Sequence, residues 1–166
     1  MSTTTTETET SVNYLHIGNK LLRQGNLPEA TDAYQQVIKL NPKSAVAYQN
    51  LGETLSLQGN LEEAANIYNQ AIKLQKNNPW SYYYLGEILI KLERFEEAVI
   101  YLRQAIELTP DFPNFYHSLG LALAKQGLFD EAITTYHRAL EIEPNSIFTY
   151  QYLGEALASQ KNGMKL

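Results

Sequence analysis

The chain has 166 residues, enough for one domain with one continuous core, and is 44% apolar and 19% charged. Its formal net charge of -5 argues against general nucleic-acid binding, which needs clustered cations to displace counterions from phosphate. The absence of cysteine excludes disulfides, thiolate metal sites and cysteine nucleophiles, and no apolar run approaches the roughly 20 residues that span a bilayer.

The N-terminal MSTTTTETET has neither a basic region nor an apolar one, so it does not read as a secretory signal, and the cytoplasm is the expected compartment. Residues 1–11 are Thr, Ser and Glu with almost nothing apolar. They bury too little surface to offset ordering entropy and are predicted to be disordered.

From there a step of 34 residues governs the chain. It meets Gly18, Gly52, Gly86, Gly120 and Gly154. It also meets Tyr14, Tyr48, Tyr82, Tyr116 and Tyr150, then Leu21, Leu55, Leu89, Leu123 and Leu157. Ala30, Ala64, Ala98 and Ala132 recur in the same register, each after a glutamate. With glycine at about 7% of ordinary composition, five in register by chance has odds on the order of one in a million.

Tyr14, Ile17, Gly18 and Leu21 fall at i, i+3, i+4 and i+7, one stripe of a helix over 12–24. A helical glycine costs about 1 kcal/mol against alanine, so a close neighbour must need the missing side chain. The second stripe, Ala30, Tyr34, Val37 and Ile38, predicts that neighbour over 28–40, its small Ala set against the Gly. Gly25, Gly59 and Gly127 mark helix ends, Asn26 and Asn60 are candidate caps, and Pro42, Pro110 and Pro144 close the second helices. The remaining helices are predicted over 46–58, 62–74, 80–92, 96–108, 114–126, 130–142 and 147–160. The third copy is the irregular one: Glu93 stands for Gly and Leu102 for Tyr, and Lys76, just ahead of it, stands for Pro. A longer link over Gln75–Pro79 is expected there.

The pattern Y-x-x-L-G-x-x-L, then A-x-x-x-Y, then P, over about residues 12 to 160, resembles the tetratricopeptide repeat (TPR) family. The resemblance implies an all-α, right-handed α-solenoid of antiparallel helix pairs with nine helices. The repeats are 11–44, 45–78, 79–112 and 113–146, with a half repeat over 147–160 and a tail over 161–166.

No chemistry-bearing constellation stands out. His16, His117 and His137 do not cluster as metal ligands, and no P-loop, G-x-G-x-x-G, H-E-x-x-H or G-x-S-x-G is present. The reading is a non-catalytic chain without metal or cofactor. Most of the twelve tyrosines are repeat-locked and read as core, but Trp80, Tyr83 and Tyr84 are not fixed by the repeat. They read either as recognition anchors or, for Trp80, as packing against the preceding helix end.

In TPR proteins the first helices line a concave groove that holds partner peptides. The resemblance places Asn19, Gln49, Asn50, Glu53, Trp80, Tyr83, Tyr84, Glu87, Lys91, His117 and Tyr152 in that groove, with a protein or peptide as partner rather than nucleic acid or membrane. Asn19 and Asn50 match the asparagines of chaperone-binding TPR domains. Leu15, Trp80 and Tyr84 replace the cations that hold a terminal carboxylate there, so no such tail is expected to bind. Residues 147–160 keep the first-helix pattern with no second helix after them. The alternatives are therefore an N-terminal substrate-recruiting module of a larger bacterial transferase-type enzyme, or an architectural subunit that forms a homodimer through the uncapped C-terminal helix.

Overall fold

The computed structural model describes residues 2–163, with side chains from Glu7 onward. The chain divides into two compact units between Asn77 and Asn78. The first holds α1 (Ser2–Arg23), α2 (Leu27–Leu40), α3 (Ala45–Leu57) and α4 (Leu61–Leu74). The second holds α5 (Pro79–Lys91), α6 (Phe95–Leu108), α7 (Pro113–Lys125), α8 (Phe129–Ile142) and α9 (Ile147–Gly163). The described residues thus form nine helices and no strand, as the repeat predicts. Within each unit every helix packs on the next, and first helices also touch first helices: α1 on α3, α5 on α7, α7 on α9.

The conserved step of glycines is explained by rings rather than by alanines. A Cβ placed on Gly18 would stand 2.7 Å from Tyr34, one on Gly52 2.7 Å from Tyr68, and one on Gly120 2.5 Å from Tyr136. In the third copy Leu102 does the same to Gly86, at 2.6 Å. The expected Ala-on-Gly approach is therefore corrected: the ring sixteen residues on lies directly on the glycine. Tyr34, Tyr68, Leu102 and Tyr136 are buried, and burial of each such side chain is worth about 1.5–3 kcal/mol.

The turns inside each pair share one hydrogen-bond pattern. Asn26, Asn60, Arg94 and Leu128 each donate their amide five residues back, to Leu21, Leu55, Leu89 and Leu123. This closure needs a left-handed residue. Gly25, Gly59 and Gly127 supply it at φ of 76°, 82° and 78°. Glu93 is forced into the same region at φ 58°. Asn26 and Asn60 make no side-chain cap, contrary to expectation. Ser44 and Asn78 do cap, accepting from Ala47 and Trp80 amides.

Further expectations need correction. The link after α4 is no longer than the others: Gln75–Asn78 spans four residues, as do Asn41–Ser44, Thr109–Phe112 and Glu143–Ser146. Asn78 capping α5 and Pro79 at its first turn start that helix in register without Pro at position 76. Helix α1 begins at Ser2, ten residues ahead of the expected start. Helix propagates cheaply from a formed turn, and Ser11 is buried. Ile17 is 37% exposed while Leu51 and Leu85 in the same stripe are buried. The first-helix tyrosines are half-buried rather than core, and Tyr150 is exposed. Helix α9 continues past residue 160 to Gly163, and residues 164–166 of the expected tail lie outside the described residues.

Candidate functional site

In the first unit, α1 and α3 present Asn19, Gln49, Asn50 and Glu53. Asn19 is at the centre of a polar bridge: its Oδ1 accepts from the Tyr34 hydroxyl at 2.8 Å and from Asn50 Nδ2 at 2.8 Å. The two asparagines are therefore held against each other and against the buried ring. Burial raises the Tyr34 hydroxyl to about 12, with Glu53 adding to the effect. Gln49 is half-buried and Glu53 exposed.

In the second unit, α5 and α7 gather the aromatic residues. Trp80 meets Phe112 edge-on with centroids 4.7 Å apart, and Phe115 at 5.4 Å. Tyr83 lies 4.9 Å from Phe115 and 5.2 Å from Tyr84. Trp80 packs forward onto the α6–α7 link and α7, yet remains 39% exposed, beside Tyr84 at 44%. Phe112 and Phe115 were not anticipated. Phe115 occupies the step held by Ala47, Ser81 and Thr149, which are small, so its size is the signal that marks this copy.

Next to this cluster is a cleft of about 550 Å³. Tyr83 and Glu87 of α5, Asn114, His117 and Ser118 of α7, and Glu143 and residues 145–149 around the start of α9 line it. Burial raises the Tyr83 hydroxyl to about 12, reinforced by Glu87 and opposed by a hydrogen bond with Ser118. Burial lowers the His117 pKa, against the pull of Glu87. His117 Nδ1 lies 3.4 Å from Thr149 Oγ1, which in turn donates to Ser146 Oγ at 3.0 Å. Lys91, the last residue of α5, is exposed and does not line the cleft.

Tyr152 lies elsewhere, in a smaller hollow of about 150 Å³ with Leu121, Lys125, Tyr136 and Glu155. Its ring stacks on Tyr136 at 6.4 Å and meets His117 edge-on at 5.1 Å. The Tyr136 hydroxyl is buried without a hydrogen-bond partner. The reason is in the repeat: 102 residues after Asn19, the bridging carboxamide of the first copy, stands Leu121.

The structure thus places the predicted residues in two sets. Asn19, Gln49, Asn50 and Glu53 belong to one unit, and Trp80, Tyr83, Tyr84, Glu87, Lys91, His117 and Tyr152 to the other. Tyr83, Glu87 and His117 share the larger cleft. Among the described residues no group of three or more His, Asp or Glu could hold a metal, and no helix is long and apolar enough to cross a membrane. On α9, Phe148 and Tyr150 are exposed, and a Cβ on Gly154 would meet nothing within 4 Å.

Comparison with known proteins agrees with the fold. Family models described as tetratricopeptide repeat match residues 9–77, 67–100 and 113–146, and one described as TPR repeat matches 86–127. No curated protein matches the chain in sequence. Among solved structures, a MamA protein is similar over 92% of this chain and 84% of its own, at 29% identity and a TM-score of 0.88. YrrB, described as a TPR protein with an unusual peptide-binding site, is similar over 93% and 80%, at 26% identity and a TM-score of 0.82. MamA from Desulfovibrio magneticus RS-1 shares the fold over 94% and 88%, at 21% identity and a TM-score of 0.88.

Proposed function

We propose that this chain, which belongs to the tetratricopeptide repeat family, is a protein-interaction scaffold whose second unit holds a segment of a partner protein without catalysing a reaction on it. The observation that carries the reading is the aromatic cluster beside the cleft. Trp80 and Tyr84 keep 39% and 44% of their surface exposed although neighbouring rings are available to cover them. Exposed aromatics on a rigid helical frame bring large contact area at low entropic cost, which is the property of interface anchors. The likeness to YrrB, a TPR protein described by its peptide-binding site, supports the same class of ligand.

The first unit supports a different role for its asparagines. Asn19 and Asn50 are bonded to each other and to Tyr34. With no cation at residues 15, 80 or 84, an acidic C-terminal tail finds no charge-assisted partner among these positions.

The test compares partner capture by the wild type with capture by Tyr84→Ala/Phe148→Ala. Both side chains are exposed, so the fold should survive, as circular dichroism would verify. Ile100→Ala, exposed on α6, is the control. A tenfold loss confined to the double variant is expected; undiminished capture would overturn the proposal.

A further inference from the structure

The cleft of the second unit has a charge pattern that specifies more than a generic segment. Two carboxylates line it, Glu87 and Glu143, and no lysine or arginine does. The arginines of this unit are engaged on the surface: Arg94 with Glu97, Arg103 with Glu131 and Arg138 with Glu141. Neither Glu87 nor Glu143 is in an ion pair among the described residues. The walls add aromatic faces, Tyr83 and Phe148, and the carbonyl-bearing amides of Asn114 and Asn145.

One feature opposes a cation. The N-termini of α7 and α9 border the cleft, and each carries about half a positive charge. Two full carboxylate charges exceed two half charges. Pro113 also removes one of the amide donors that an anion would need. The balance is negative.

We propose that this cleft takes an arginine side chain of the partner segment, its guanidinium paired with the Glu87 and Glu143 carboxylates and stacked on an aromatic wall. The planar guanidinium fork suits this set better than an ammonium. It bonds carboxylate and amide oxygens in one plane and packs its face on a ring. The cleft volume, about 550 Å³, is ample for one such side chain. The inference rests on the second unit being the partner site and names what that site selects.

The test uses amide spectra of the full chain, titrated with N-acetyl-arginine amide. Parallel titrations use N-acetyl-citrulline amide, which has the same shape without the charge, and N-acetyl-aspartate amide. The arginine probe should shift the amides of Glu87, Asn114, His117 and Thr149 along a saturating curve, at least ~5-fold tighter than citrulline. In Glu87→Gln/Glu143→Gln the arginine response should fall to the citrulline level, with the rest of the spectrum unchanged. Equal binding of arginine and citrulline, saturation of these amides by the aspartate probe, or no saturation across the millimolar range would each overturn the proposal. Partner capture separates the two readings. Capture lost with Tyr84→Ala/Phe148→Ala but kept with Glu87→Gln/Glu143→Gln leaves the scaffold and removes the arginine pocket. Capture kept by both removes the scaffold reading itself.

Discussion

Gly52 lies under the ring of Tyr68, so close that a Cβ would stand 2.7 Å from Cε2. Tyr68 is buried and cannot swing aside. Gly52→Ala is therefore expected to destabilise by about 1–3 kcal/mol through overpacking, despite the better helix propensity of alanine. Gly154 has the same place in its repeat and nothing within 4 Å. There the propensity term acts alone, and Gly154→Ala should stabilise by about 1 kcal/mol. Urea unfolding of the two variants checks the sign; the same sign in both would refute the account.

Glu93 offers a second test of the repeat. It adopts φ 58° because its turn closes like those at Gly25, Gly59 and Gly127. A left-handed non-glycine residue costs about 1–2 kcal/mol, while glycine gives back part of that as unfolded-state entropy. Glu93→Gly should raise the stability by up to about 1 kcal/mol and with it the melting temperature, and Gly59→Glu should lower both by a similar amount. A thermal melt of each variant decides the matter.

These residues also show what was legible in the sequence. The 34-residue step of Gly, Tyr, Leu and Ala announced the helix pairs and their number, and Gly25, Gly59 and Gly127 announced the left-handed turns. The substitution of Glu for Gly marked residue 93 before any geometry was known. The cluster around Trp80 was half visible. Its first-helix members broke the repeat, but Phe112 sits in a link, and Phe115 was hidden next to a repeat-locked tyrosine. The cleft was less visible still, since Glu143, Ser146 and Thr149 reach it only through the path of the α8–α9 link.

The buried tyrosines predict unequal hydroxyl deletions. The Tyr34 hydroxyl donates to Asn19 at 2.8 Å, so Tyr34→Phe should cost about 0.5–1.5 kcal/mol. The Tyr136 hydroxyl is buried without a partner, so Tyr136→Phe removes an unsatisfied group and should be neutral or stabilising. Chemical denaturation of both variants provides the comparison. An equal loss in the two would contradict the role assigned to Leu121 in depriving Tyr136 of its acceptor.

The Tyr34 and Tyr83 hydroxyls set the alkaline limit. Burial raises Tyr34 and Tyr83 from 10.0 to about 12. The folded state keeps protons that the unfolded state releases. Their contribution is therefore complete below pH 10 and is lost as pH rises from there through about 12. Tyrosinate absorbance should show most tyrosines ionising first, with the last ones ionising together with loss of helical ellipticity. Ionisation of all twelve in one phase near pH 10, with the helices intact, would refute the burial argument.

Trp80 decides how far packing and recognition share one side chain. Its edge-on contact with Phe112, centroids 4.7 Å apart, belongs to the folded unit and needs no partner. Aromatic pairs of this kind couple by about 0.5–1.5 kcal/mol beyond the area they bury. A double-mutant cycle of Trp80→Ala and Phe112→Ala should recover a coupling in that range. Circular dichroism should follow the unfolding, since Trp80 is the sole tryptophan and its fluorescence is lost in the variant. A coupling near zero would mean that the pair contributes nothing to the fold, and would leave the exposed surface of Trp80 as its sole use. A coupling in the expected range means that Trp80→Ala loosens the α5–α7 contact as well as removing an anchor. Partner affinity should then fall more for Trp80→Ala than for Tyr84→Ala. Trp80→Phe, which keeps an aromatic edge against Phe112, should restore most of the stability while recovering less of the affinity.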